Sequence, residues 1–174
     1  YDWALNDQKP PRPYGRLLGM RRPNGNGDDM WLTSHWVMPW HGLNTEIPGF
    51  PFDAIFYTPV DDETSLMWIA NYRPDRPLDD HDRTMIDSGL GLVSPAIPGT
   101  FRNAANRDND YLVDRALQQQ GFMIPVLGVG VQDLVVQESQ GRIFDRTKEH
   151  LGTSDLLIIK KRRALVEAME ANER

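Results

Sequence analysis

Hydrophobic and polar positions alternate in the first half of the chain and follow a helical period in the second. Tyr14 to Arg22 reads as a strand and Met30 to Met38 as its partner. Between them, Pro23-Asn24-Gly25-Asn26-Gly27-Asp28-Asp29 reads as a turn, because Asn-Gly tolerates the positive φ that tight hairpins demand. Pro39 to Pro51, with Gly42, Pro48 and Gly49, reads as a loop. Phe52 to Pro59 and Thr64 to Tyr72 are two further strands, joined by Asp61-Asp62-Glu63. Links this short can join only antiparallel neighbours. Residues 1–13 carry Pro10, Pro11 and Pro13 and read as an extended lead-in.

Beyond Arg73 the period changes. Asp79 to Ile86 fits a short helix with acidic caps, and Gly89 to Asn106 is a long Gly- and Pro-bearing loop of the kind that often serves function. Tyr111 to Gln120 and Val131 to Ser139 read as helices, separated by the apolar but broken stretch Gly121 to Gly130. The last element is the clearest: Thr153, Ser154 and Asp155 offer N-caps. At about 100° per residue, Ile158, Leu165 and Met169 then share a stripe flanked by Leu157, Val166 and Ala168. Lys160, Arg163, Glu167 and Glu170 fall on the other side, and Lys160-Lys161-Arg162-Arg163 reads as a solvated face. Strands first and helices after predict an α+β domain, an antiparallel sheet with the long C-terminal helix packed across it in helix-grip fashion.

Composition narrows the function classes. The 174 residues are enough for a single domain with one core, 40% hydrophobic and 25% charged. Acidic residues outnumber basic ones 25 to 19, which argues against nucleic acid as a partner. The longest apolar run, Ile124 to Val131, is too short to span a bilayer, so no membrane partner is expected and a cytoplasmic location is. With no cysteine, the chain has no disulfide, no thiol nucleophile and no iron–sulfur ligation of its own. It opens on Tyr1-Asp2-Trp3 without an initiator methionine or signal-peptide pattern, so it is expected to be a piece of a longer protein.

Candidate chemistry is sparse. Asp133 follows a Gly-interrupted apolar stretch and opens a helix, where an acid in the first turn has a plain role opposite the helix dipole. Asn106-Arg107-Asp108-Asn109-Asp110-Tyr111 superficially resembles a calcium loop. It lacks the glycine and the closing glutamate, so capping and ion pairing suit it better. The charge-rich segment Glu138 to Gly152 is either a salt-bridged surface connection or a polar network that positions Asp133. His35 and His41 are poorly spaced for one metal, His35 reads as a sheet-face residue, and His81 as a surface residue.

Three strings, taken together, carry a resemblance: Asn106-Arg107-Asp108-Asn109-Asp110-Tyr111-Leu112-Val113-Asp114-Arg115; Val131-Gln132-Asp133 leading to Gln137-Glu138-Ser139; and Asp145-Arg146-Thr147-Lys148-Glu149-His150-Leu151-Gly152-Thr153-Ser154-Asp155. They resemble the C-terminal part of Rieske non-haem iron oxygenases of the phthalate 4,5-dioxygenase and LigXa-like branch, over roughly the last seventy residues. The resemblance implies an oxidoreductase that hydroxylates or O-demethylates an aromatic, carboxylated substrate with O₂, as a dioxygenase or monooxygenase of aromatic catabolism. It implies mononuclear Fe(II) held by two histidines and one carboxylate, a [2Fe–2S] cluster in an N-terminal Rieske domain, and electrons from NAD(P)H through a reductase or ferredoxin. It also implies a homotrimer.

The carboxylate position matches Asp133. The two-histidine stretch and the Rieske motif have no counterpart in these residues, so the isolated chain is expected to be inactive. Substrate contacts are expected from His35 and Val37 on the sheet, with Phe56 more suited to the core. Arg102, or Arg107, could receive a substrate carboxylate. The alternative is a stand-alone helix-grip module that holds a hydrophobic small molecule without catalysis.

Overall fold

A computed structural model describes residues 2–5, 15–44, 49–121 and 125–173. Six strands lie in chain order in one sheet: β1 (Asp2–Leu5), β2 (Gly15–Pro23), β3 (Asp29–Val37), β4 (His41–Asn44), β5 (Phe52–Pro59) and β6 (Ser65–Tyr72). β1 to β5 pair antiparallel in succession. Four helices follow: α1 (Asp80–Asp87), α2 (Arg115–Gln119), α3 (Val129–Ser139) and α4 (Leu156–Asn172). This is the α+β class the pattern predicts. Among the described residues, no helix is long and apolar enough to cross a membrane.

Backbone contacts divide the chain into two compact units. One comprises Tyr1–Thr45, Ala54–Tyr57 and Asp145–Arg174; the other comprises Glu46–Asp53 and Thr58–Phe144. The first holds β1 to β4, the centre of β5 and α4. The β2–β3 hairpin closes as its sequence demands: Gly25 and Gly27 take φ of 85° and 90°, and Asn24 accepts from the Asn26 N–H. Two strands escape the sequence pattern. β1 and β4 have four residues each, too few to show a period, and both exist because a longer neighbour offers an edge: β2 for one, β3 and β5 for the other. The prolines of the lead-in, and Pro48, lie outside the described residues.

Register sorts the sheet's faces. Trp36, 2% exposed, packs on the face opposite His35 and Val37, and its indole N–H donates to the Pro39 carbonyl. α4 lies against β1, and Lys161 sets its ammonium 5.1 Å from the Trp36 ring. The predicted stripe of α4 is not the buried one. Leu157 and Ala164 are buried, Ile158, Val166 and Met169 are exposed, and Lys160, Lys161 and Arg162 are half-buried. Long basic side chains cover apolar surface with their stems, so Lys160, Lys161 and Arg162 pack in part, while Arg163 stays solvated as expected. Arg162 forks onto Glu149 at 2.5 and 2.9 Å, tying the later part of the charged segment to α4. Asp155 does not cap α4; its carboxylate turns back to the Gly152 N–H.

The second unit holds β6, the ends of β5, a long loop and three helices, with a core of Ala105, Val126 and Val131 against which Val113 and Val135 pack. The Asp79 box caps α1 as predicted. Asp82 is fully buried there, and its carboxylate takes a forked pair from Arg73 and a third bond from Arg76. Those guanidinium bonds hold its pKa far below the usual carboxylate range. The helix predicted over Tyr111–Gln120 is shorter. Only Arg115–Gln119 is α-helical, capped by Asp114, and Arg107–Leu112 is a 3-10 turn whose last three residues are left-handed.

Candidate functional site

α3 carries the Asp133 position, and its start is unusual. Gly128 stands at the N-cap with φ of 88° and supplies no side-chain cap. The orphan N–H groups of the first turn go to a loop: Val129 donates to the Leu90 carbonyl at 3.1 Å and Gly130 to Gly91 at 3.0 Å. A Cβ at Gly128 would collide with the Gly89 carbonyl oxygen, and one at Gly130 with that of Leu92. The glycines that interrupt the sequence here let two backbones meet.

Because α3 begins at Val129, Asp133 is its fifth residue and lies beyond the first turn. The dipole role expected from sequence therefore loses its force, since that effect fades within one turn. Val131 and Val135 face the core, so Asp133, two residues on from Val131, projects from the other side and is exposed. It makes no hydrogen bond or ion pair among the described residues. Nearby protein still strips enough water from the carboxyl to raise its pKa. Among the described residues no three His, Cys, Asp or Glu side chains stand together as a metal site, and the chain has no cysteine for a cluster.

The other predicted residues fall as follows. His35 and Val37 are on β3 of the first unit and share one sheet face. Val37 is opposite His41 in the register, and His41 is opposite Phe56, whose ring centroid is 5.3 Å from the imidazole. Leu17 is opposite His35 on the same face. Phe56 is an exposed member of this face and not the core residue expected. His41 Nδ1 is buried without a hydrogen-bond partner among the described residues. Arg102, in the second unit, is exposed, and its guanidinium donates to Asp108 at 2.9 Å. Surface pairs of this kind contribute about 0–1 kcal/mol. Arg107 turns instead to the Glu138 carbonyl. His81 and His150 are exposed.

Two cavities adjoin the N-terminal end of α3 in the second unit. One, about 60 Å³, is lined by Val129, Leu90, Leu92, Asp53 and Asn71. Asp53 is 8% exposed there; Asn71 donates to one of its oxygens, and burial raises its pKa. The other, about 360 Å³, is lined by apolar residues including Ala105, Leu117, Val126 and Val131, with Tyr111 beside them. Neither Arg102 nor Asp133 lines either cavity.

Sequence reasoning missed one contact that holds α3. The Tyr111 hydroxyl donates to Glu138 Oε2 at 2.8 Å, joining two of the motif strings. The sequence signal is slight: Asp110 is a residue type that tolerates left-handed backbone, and nothing in the string pairs Tyr111 with Glu138.

Comparison with known proteins gives this arrangement a lineage. The chain is 29% identical over 128 residues to the 3-chlorobenzoate-3,4-dioxygenase oxygenase subunit of Comamonas testosteroni, covering 67% of this chain and 30% of that protein. It is 29% identical over 115 residues to the phthalate 4,5-dioxygenase oxygenase subunit of Pseudomonas putida, covering 65% of this chain and 26% of the relative. The match therefore spans less than a third of either relative's length. Residues 13–174 match the family described as LigXa C-terminal domain like, which takes in all three motif strings and the whole of α3 and α4, and the chain belongs to that family.

Proposed function

We propose that this chain forms part of the mononuclear iron domain of a Rieske-type aromatic-ring oxygenase and supplies Asp133 as the carboxylate ligand. The observation that carries the reading is the state of Asp133. It stands on a helix anchored by backbone bonds, with no partner among the described residues and a pKa raised by desolvation, and the motif resemblance matches it to the family's carboxylate ligand. A divalent cation would reverse that shift by favouring the charged form. When bound, the iron would supply the activation of O₂ for hydroxylation or O-demethylation. The two histidine ligands and the [2Fe–2S] cluster belong to sequence outside these residues, since one carboxylate is a poor Fe(II) site alone.

The relatives' names point to aromatic carboxylates as the substrate class. His35 and Val37 are the proposed substrate contacts on the sheet, and Arg102 the proposed partner of the carboxylate in the second unit. A reductase or ferredoxin carrying electrons from NAD(P)H, O₂ and a homotrimeric assembly complete the proposal. Asp133→Ala in the complete protein should abolish iron retention and turnover while the cluster spectrum persists. Iron retained at the parent level would remove Asp133 from the site. A non-catalytic reading, a module that holds a hydrophobic small molecule, has the 360 Å³ cavity in its favour, a volume within the usual range for ligand pockets. A complete protein that holds no iron but takes up a hydrophobic small molecule would shift weight to it.

A further inference from the structure

We propose that Tyr111 and Arg107 are positioning residues for Asp133, acting through Glu138 at the far end of α3. The proposal rests on the reading of Asp133 as a ligand and adds what sets its direction.

Asp110, Tyr111 and Leu112 have φ of 53°, 55° and 54°. Residues other than glycine enter the left-handed region at a cost, and as a rule singly; three in succession persist only where their surroundings impose them. Here the surroundings are specific. Asn106 closes a capping box with Asn109, and its carbonyl accepts from the Tyr111 N–H at 2.8 Å. The Tyr111 ring is 8% exposed. The contorted turn delivers the Tyr111 hydroxyl to Glu138 Oε2 at 2.8 Å. It also brings the Arg107 guanidinium to the Glu138 main-chain oxygen at 2.5 Å. Burial and the neighbouring carboxylate raise the phenol's pKa, so the donor stays protonated at neutral pH.

Glu138 lies seven residues beyond Val131, two helical turns less about 20°, and so on the core-facing side of α3. Asp133 lies about 200° from Val131, on the other side. Gripping Glu138 therefore fixes rotation of the helix about its axis. The carboxyl of a helical aspartate stands roughly 5–6 Å from that axis, so a rotation of about 10° displaces it by about 1 Å. Displacements of that size matter for a metal ligand. The backbone bonds to Leu90 and Gly91 anchor the N-terminal end, and the Tyr111–Glu138–Arg107 contacts fix the other end.

The test uses the complete oxygenase. Ferrous-ion dissociation constants are read by chelator competition. The visible absorption of cobalt(II) bound in place of iron reports coordination geometry, and the thermal midpoint controls for stability. Tyr111→Phe should weaken iron binding about 10- to 100-fold and alter the cobalt spectrum, with the midpoint moved by no more than about 3 °C. Arg107→Met should weaken it several-fold, and Glu138→Gln, which keeps an acceptor oxygen, should stay near the parent. Parent affinity and an unchanged cobalt spectrum in both Tyr111→Phe and Arg107→Met would overturn the proposal. Should Tyr111→Phe fail to fold, Arg107→Met, at an exposed residue, decides it in the same way. Asp133→Ala measured alongside separates the two readings. If it keeps iron, the ligand assignment fails; if it alone loses iron, only the positioning role fails.

Discussion

α3 and α4 make opposite use of helix. α4 has the strongest sequence signature in the chain, 17 residues with a visible apolar stripe, yet only Leu157 and Ala164 are buried on it and Met169 is 62% exposed. α3 has 11 residues and a weak period, yet it sits on a buried Val131, on backbone bonds to the 90–91 segment, and on a buried tyrosine at its far end. Periodicity reports which faces could be apolar. It does not report how closely another backbone approaches, and that approach is what locates α3.

The contrast can be broken most forcefully at Gly128. Gly128→Ala places a Cβ against the Gly89 carbonyl at a residue with φ of 88°, and should cost about 3–4 kcal/mol in denaturant unfolding. A cost under about 1 kcal/mol would show that the seat of α3 is slack.

Asp53 sharpens the picture of that seat, since it shares a cavity with Val129. Its folded pKa is raised by burial, so the stability it contributes is fully present below the ordinary carboxylate pKa. That stability is lost as pH rises through the folded value. Asp53→Asn cannot ionise, so its stability relative to the parent should rise from pH 4 toward pH 7. Parallel pH–stability curves for the two proteins would contradict this.

The smallest effect belongs to α4. Met169→Ala should change stability by no more than about 0.5 kcal/mol despite lying on the most regular stripe in the sequence. A larger loss would mean that this face is covered.

The hairpin, the strands at Phe52–Pro59 and Ser65–Tyr72, and the cap of α1 were legible because turn chemistry and alternation are local. The short strands β1 and β4 were not, because four residues acquire strand character only from a neighbour's edge. At the candidate site, motif resemblance singled out Asp133, whereas residue spacing favoured a dipole role that the start of α3 at Val129 removes. Arg102 was legible as an exposed arginine; its attachment to Asp108 was not.

By itself, then, the chain's order of residues determined the class, the antiparallel hairpins, the absence of thiol and cluster chemistry, and the family. Those depend on composition, on turns of a few residues and on motif strings. Tertiary structure alone decided which face of α4 is buried, why glycines flank the start of α3, and which tyrosine grips its end. Each of these depends on contacts between segments far apart in sequence, as Tyr111 and Glu138 are, and no local pattern encodes which segment will arrive.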